Sequence, residues 1–313
     1  MTNNFKLEDI GFYTLSDARA KQCSEKSPLW RCELLLTNRC NFNCPYCRGL
    51  QDNDLMFDDA VNILELWITN GLKNIRFSGG EPTLYTRLIE LVEICKNNDV
   101  EHIALSTNGS ADFSLYKDLF DYGINDFSIS LDACCSSTSD MMSGTKGYWS
   151  KVISNIAALS ELTYVTTGIV YDERNEREII DVIELAHNLG VSDIRIIPAA
   201  QYARKMDISV RAELLAKYPI LKYRVSGNHK VRGLYNSDTP RCRLVLDDMA
   251  VWNNRHYPCI IYLREGGQPI GNVSDKMRHE RFLWSENHDS KNDPICLNNC
   301  LDVCCEYNNR TRN

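Results

Sequence analysis

No apolar run in the 313 residues reaches the roughly 18 needed to span a bilayer, and Met1-Thr2-Asn3-Asn4-Phe5-Lys6 leads into acidic residues rather than a hydrophobic signal region. These two absences predict a cytoplasmic protein with no membrane partner. Cytoplasm lacks the oxidising conditions that disulfides need, so the fourteen cysteines read as metal ligands rather than as a disulfide scaffold. Only about thirty residues precede the first predicted strand, too few for a separate recognition domain. The net charge of −7 argues against tight non-specific binding to nucleic acid. That charge is uneven: residues 201–243 hold ten Lys/Arg against three acids, a local +7, leaving −14 for the rest. Such a segment is either a solvated face or a surface that meets an anionic substrate.

The thiols that are present concentrate. In Thr37-Asn38-Arg39-Cys40-Asn41-Phe42-Asn43-Cys44-Pro45-Tyr46-Cys47-Arg48-Gly49, three fall within eight residues, directly after a very apolar run. Sulfurs this close can share one metal centre. Their C-x3-C-x2-C spacing differs from the ferredoxin patterns and offers three thiolates where a closed iron–sulfur or zinc site needs four. One iron would be left without a protein ligand. The competing reading is a structural zinc knot completed by Cys32 or a more distant cysteine. About thirty residues later comes Ile75-Arg76-Phe77-Ser78-Gly79-Gly80-Glu81-Pro82, whose glycines permit close backbone approach.

With Tyr46 at the aromatic position of C-x3-C-x-aromatic-C and Gly-Gly-Glu-Pro following at the right distance, the chain resembles the radical S-adenosylmethionine (SAM) superfamily. The resemblance implies that Cys40, Cys44 and Cys47 hold a [4Fe–4S] cluster whose open iron chelates the amino and carboxylate groups of SAM's methionine part. An electron from that cluster would split SAM into methionine and a 5′-deoxyadenosyl radical. The resemblance also assigns the methionyl amino group to the run Gly79, Gly80, Glu81 and Pro82. It further implies an external electron donor of the flavodoxin or ferredoxin type.

Glu33–Thr37 reads as a strand buried on both faces, as in a parallel sheet covered by helices. The cysteine loop leaves its C-terminal end, where parallel α/β folds carry their chemistry. Further strands are predicted at 74–78, 102–106, 126–131, 164–170 and 193–198, each pair separated by a helical pattern. Six βα units fall short of the eight in a closed barrel. The fold class is therefore α/β, and the resemblance specifies a partial (βα)6 TIM barrel with a small cysteine-rich C-terminal extension. The predicted domains are a lead-in over 1–30, the barrel over 31–200, a basic connector over 201–240 and an auxiliary Fe–S domain over 241–313.

Position at the strand ends suggests further SAM contacts. Ser106 and Asn108 leave the third strand, and Ser130 and Asp132 the fourth, where related enzymes place polar groups near the ribose and carboxylate. Tyr46, Gly168 and Pro198 lie where the family lines the adenine. Turn chemistry accounts for the same residues. Cys134, followed by Cys135, is placed either to donate a hydrogen atom to a substrate radical or to act as a small buried hydrophobe. Met141 to Trp149 looks like the loop and helix start seen in peptide- and cofactor-modifying members.

Cysteines return late, at 242, 259, 296, 300, 304 and 305. This density resembles the SPASM and twitch extensions, which bind auxiliary [4Fe–4S] clusters. Cys242 and Cys259 bracket a hairpin, although Asn254 stands where the family usually has Gly. C-x3-C-x3-C-C is also not the full SPASM spacing, so one auxiliary cluster is expected. Its ligands would be Cys242, Cys259 and two of the last four cysteines. Cys296, Cys300 and Cys304 would share one face of a continuous helix. Zinc is the competing occupant.

Together these readings predict a radical SAM enzyme that abstracts hydrogen from a small anionic metabolite or nucleotide. Modification of a peptide or protein is the alternative, and a non-catalytic thiol-rich metal-binding module is the other.

Overall fold

The computed structural model describes residues 5–49, 53–202, 206–225 and 230–311. Arg204 and Lys205 of the basic segment lie outside these described residues. The strands are β1 Arg31–Thr37, β2 Asn74–Gly79, β3 His102–Thr107, β4 Asp126–Ser130, β5 Tyr164–Tyr171, β6 Asp193–Pro198, β7 Asp248–Trp252, β8 Arg255–Tyr257 and β9 Gly271–Asn272. Between the first six run α2 Phe57–Thr69, α3 Leu88–Asn97, α4 Phe113–Tyr122, α5 Ser136–Ser143, α6 Trp149–Ser160 and α7 Ile179–Asn188. α1 Asp17–Gln22 precedes β1, and α8 Ala212–Lys217 and α9 Pro219–Val225 follow β6. The C-terminal helices are α10 Ile260–Arg264, α11 Met277–Asn287, α12 Pro294–Asn299 and α13 Asp302–Arg310.

Local pattern explains the repeating part. Leu34, Leu35 and Leu36 of β1 are fully buried, as the uninterrupted apolar run requires. α3 buries Leu88, Leu91, Val92 and Cys95, and α7 buries Ile179, Val182, Ile183 and Ala186, both at helical spacing. The helical pattern runs from Asn175 to Leu189, but α7 begins only at Ile179. The Asn175 amide donates to the carbonyls of Asp132 at 2.9 Å and Val170 at 2.7 Å, which fixes 172–178 as a loop.

Contacts divide the chain into two units. The parallel strands run in the order β6-β5-β4-β3-β2-β1, of which β3 to β6 and most of β2 fall in the unit formed by Leu36–Asp54 and Arg76–Gly227. Ser130 pairs with Gly168, and Gly168 with Arg195, in parallel register. This is the open (βα)6 arrangement expected from the sequence. α8 and α9 follow its last strand. Arg211 forms a two-point ion pair with Glu184, and the Tyr218 hydroxyl meets His187 Nδ1 at 2.9 Å.

The other unit combines Met1–Leu35, Leu55–Ile75 and Asn228–Asn313. Here β7 lies parallel to β1, with Arg31 opposite Asp248 and Leu34 opposite Val251. β8 and β9 then add antiparallel. The N-terminal segment is tied to the C-terminal one. Arg19 pairs with Asp247, which also accepts the Tyr307 hydroxyl at 2.5 Å. Arg278 donates to the carbonyls of Ser24, Glu25, Ser27 and Leu246 at 2.6 to 3.1 Å.

The β7–β8 turn, Asn253-Asn254, has φ of 48° and 57° at its two residues. A tight two-residue hairpin needs positive φ at both, and Asn tolerates it best after Gly. Asn254 therefore meets the same backbone demand as a glycine. α11 bears two pinning arginines and was not apparent as a helix in the sequence. Arg281 is fully buried, and donates to the carbonyls of Val245 and Tyr257 at 2.9 Å, Pro258 at 3.1 Å and Asp248, and to His256 Nδ1 at 3.2 Å.

Arginine only donates, so His256 Nδ1 must accept, and Nε2–H then donates to Glu280 at 3.0 Å. The imidazole is held neutral: burial and the Arg281 charge push its pKa down to about 4, against the pull of Glu280. Because the folded value lies below the unfolded one, this contribution is complete above about pH 6.5 and is lost as pH falls towards 4. Urea denaturation at pH 7 and pH 5 is expected to show a smaller loss of stability for His256→Gln than for the unaltered chain. Equal losses would contradict the neutral imidazole.

Candidate active site and a thiol-lined cavity

The cysteine loop leaves the C-terminal end of β1 and is held at its root. Thr37 Oγ1 donates to Asp54 at 2.6 Å and accepts from the Arg39 amide at 3.1 Å. Arg39 Nε reaches Asp54 at 2.8 Å and its Nη2 the Leu84 carbonyl at 2.7 Å. The Gly79-Gly80 turn lies directly against this root. Gly80 N–H donates to the Thr37 carbonyl at 2.6 Å and Glu81 N–H to the Arg39 carbonyl at 2.7 Å. A Cβ on Gly80 would stand 2.3 Å from the Arg39 oxygen, and one on Gly79, at φ +147°, 2.5 Å from the Thr37 oxygen. Any side chain would push the two motifs apart. Pro82 opens the short 3-10 turn that follows.

Glu81 is buried and does not face open space. Its carboxylate accepts from Thr83 N at 3.2 Å, Thr83 Oγ1 and Thr107 Oγ1 at 2.7 Å and Asn108 N at 2.7 Å. Burial raises its pKa, while these donors oppose the rise. The carboxylate thus braces the end of β2 against the end of β3. Asn108 passes the brace on: its amide donates to Asn41 Oδ1 at 2.9 Å and approaches Cys40 Sγ at 3.9 Å.

The far side of the loop meets the end of β4. The Tyr46 hydroxyl donates to Asp132 Oδ2 at 2.5 Å and also bonds the Cys44 thiol. Asp132 Oδ1 accepts from the Val170 amide at 2.6 Å. Burial pushes the Asp132 carboxyl up to about 6, against the pull of these two donors. Asn108 is thereby brought to Cys40, and Tyr46 with Asp132 to Cys44. Ser106 accepts instead from Arg76 Nη1 at 2.8 Å. Ser130 is exposed, and a Cβ on Gly168 would meet nothing within 4 Å. Pro198 ends β6 opposite Tyr171.

The region from α5 to α6 also supports the loop. Asn43 N–H donates to the Ser143 carbonyl at 2.8 Å, and Phe42 packs edge-on against Tyr148 at 5.2 Å. Sequence reading took Met141 to Trp149 as a mark of lineage; its contacts make it a buttress. Gly144 sits in the same contact, since a Cβ there would stand 2.2 Å from the Asn43 oxygen.

Cys40 and Cys47 are exposed, Cys44 is half-buried, and all three are free thiols. Sγ of Cys40 accepts from Phe42 N at 3.4 Å, and Sγ of Cys47 from Gly49 N at 3.3 Å. Three reachable thiols, amides directed at sulfur and a glycine turn seated on the loop root fit a cluster with three protein ligands. Cys134 donates its S–H to Glu178 at 3.3 Å.

In the unit that contains β7, six thiols line one cavity of about 640 Å³, mouth included: Cys242, Cys259, Cys296, Cys300, Cys304 and Cys305. Cys242, Cys259 and all four of the late candidates are thus brought together. The continuous helix expected to carry Cys296, Cys300 and Cys304 does not form. α12 stops at Asn299, Cys300 is extended at ψ 133°, and α13 starts afresh at Asp302. An antiparallel bridge between Arg232 and Leu301, with Gly233 N–H on the Cys300 carbonyl at 2.8 Å, takes the backbone groups a helix would need. The thiols share a cavity although they do not share a helix face.

Comparison with known proteins places this geometry. The Radical SAM superfamily model matches residues 34–192. A probable GTP 3′,8-cyclase of Saccharolobus solfataricus is 32% identical over 176 residues, covering 54% of this chain and 57% of that protein. The match thus spans little more than half the length of such relatives. Among solved structures, Streptococcus suis SuiB superposes with a TM-score of 0.61 at 17% identity, covering 87% of this chain and 67% of its own. SuiB has also been solved bound to the precursor peptide SuiA. anSMEcpe with bound AdoMet superposes at 0.60 and 17%, covering 90% and 91%. These two likenesses establish the fold. No described helix is long and apolar enough to cross a membrane. With the family model covering just over half of its length, the chain belongs to the radical SAM superfamily.

Proposed function

We propose that the enzyme cleaves SAM reductively and abstracts hydrogen from an unactivated carbon of its substrate, with Cys40, Cys44 and Cys47 as the cluster ligands. The observation that carries this reading is the contact of the thiol loop with the Gly79-Gly80 turn in one hydrogen-bonded frame. When bound, the cluster supplies the electron that splits SAM and so releases the 5′-deoxyadenosyl radical. The chain's own part is placement. Thr37, Arg39 and Asp54 fix the loop root, Glu81 braces it to β3, and Tyr46 with Asp132 fixes its outer side. The turn backbone at Gly79 to Pro82 is left to receive the methionyl end of SAM. We further assign residues 31–200 to this chemistry and 241–313 to an auxiliary cluster held by four of the six cavity thiols. A cytoplasmic location and an external donor of the flavodoxin or ferredoxin type complete the reading. It is supported by all fourteen cysteines being free.

For the substrate, a nucleotide or similar small anion is supported by the relation to GTP 3′,8-cyclases. Three of the basic segment's described cations are engaged within the chain itself. Among its described members Arg211 pairs with Glu184, Arg243 pairs with Glu286, and Arg241 donates to the His288 carbonyl. A peptide substrate is the second reading, supported by the thiol cavity and by SuiB's precursor peptide. Anaerobically reconstituted enzyme given dithionite and SAM is expected to form 5′-deoxyadenosine. GTP should accelerate it under the first reading, and a precursor-type peptide under the second. Iron analysis is expected to give about eight irons per chain, two four-iron clusters. A value near four would remove the auxiliary cluster from the proposal.

A further inference from the structure

At the exit of β4 a second set of soft ligands stands apart from the three loop thiols. Ligand atoms of Cys134, Cys135 and Glu178 all lie within 4.8 Å of one another, and all three residues are half-exposed, so an ion can enter. We propose that Cys134, Cys135 and Glu178 bind a thiophilic divalent cation of the zinc class, with a fourth position left open. Two thiolates and one carboxylate form a donor set that suits Zn²⁺ and disfavours Mg²⁺ or Ca²⁺, which require oxygen ligands.

Outer groups already orient these donors. The Thr138 hydroxyl donates to Glu178 Oε1 at 2.7 Å, and the Cys135 thiol lies 3.2 Å from the Ser137 hydroxyl and 3.6 Å from that of Thr138. Partners of this kind fix ligand geometry in metal sites. Both arms are also held by one buried residue, the first through its side-chain amide and the second through its main-chain carbonyl. Asn175 holds the Asp132 carbonyl, two residues before the thiols, through its amide, and its own carbonyl accepts from Glu178 N–H at 2.9 Å. The site is therefore rigid before any ion arrives.

Coordination by both thiolates would release their two S–H protons for each Zn²⁺ taken up.

The test uses the cluster-loaded enzyme. After exposure to Zn²⁺ and desalting, zinc per chain is compared for the unaltered enzyme and the Cys134→Ser/Cys135→Ser double variant, with iron measured in both. We expect the double variant to lose one zinc while keeping its iron. The zinc X-ray absorption fine structure should show two sulfurs at about 2.3 Å and oxygen at about 2.0–2.2 Å. Glu178→Gln, which keeps the shape and removes the charge, should weaken zinc binding at least about tenfold. Unchanged zinc in the double variant, a sulfur count above two (zinc in the six-thiol cavity), or full zinc affinity in Glu178→Gln would each overturn the assignment.

Discussion

Replacing Cys44 with alanine is expected to strip about four irons from each chain and to cut 5′-deoxyadenosine formation by at least about three orders of magnitude, some 4 kcal/mol of barrier. The loop offers three thiols and one of the four irons must stay open, so the protein has no ligand to spare. Cys44 is also the thiol bonded by Tyr46, which links it to Asp132 and the end of β4. Its loss therefore removes a ligand and loosens the outer side of the loop together. Cys23→Ala is the control, since that thiol donates to the Ala20 carbonyl at 3.3 Å in the unit that contains α1. Cys23→Ala should keep both iron and activity. An active Cys44→Ala enzyme would sink the assignment of the loop.

Arg281→Leu is expected to destabilise the unit bearing the thiol cavity by about 3–5 kcal/mol. The guanidinium satisfies four buried carbonyls and one imidazole nitrogen. Leucine fills part of the volume and none of the hydrogen bonds, leaving buried acceptors at about 1–3 kcal/mol each before relaxation. Tyr257 and Pro258 lead directly into Cys259, so the second expected consequence is loss of about four irons with the loop cluster retained. Thermal denaturation should show a fall of the order of 10 °C. An unchanged midpoint together with full iron would mean that these hydrogen bonds contribute little.

The loop chemistry was legible because it is local. Cys40, Cys44 and Cys47 lie within eight residues, Gly79-Gly80 within two, and the six strands declare themselves by apolar runs closed by turns. That Thr83, Thr107 and the Asn108 amide converge on the Glu81 carboxylate was not legible, because they lie on separate segments of the chain. Asn254 looked like a departure from a pattern only while the residue type was compared. Once φ is known, Asn and Gly answer one demand.

The sequence by itself determined the repeating βα order, the thiol loop at the end of β1 and the class of chemistry, since each depends on residues a few positions apart. Tertiary structure alone decided that β7 pairs with β1, that Arg19 and Arg278 tie the N-terminal segment to residues more than 200 positions away, and that six late thiols line one cavity without a common helix. The physical reason is that a helix or turn is selected by neighbours along the chain. A pairing across 200 residues carries a closure cost that grows only logarithmically with length, and it leaves no periodic trace in the residues it joins.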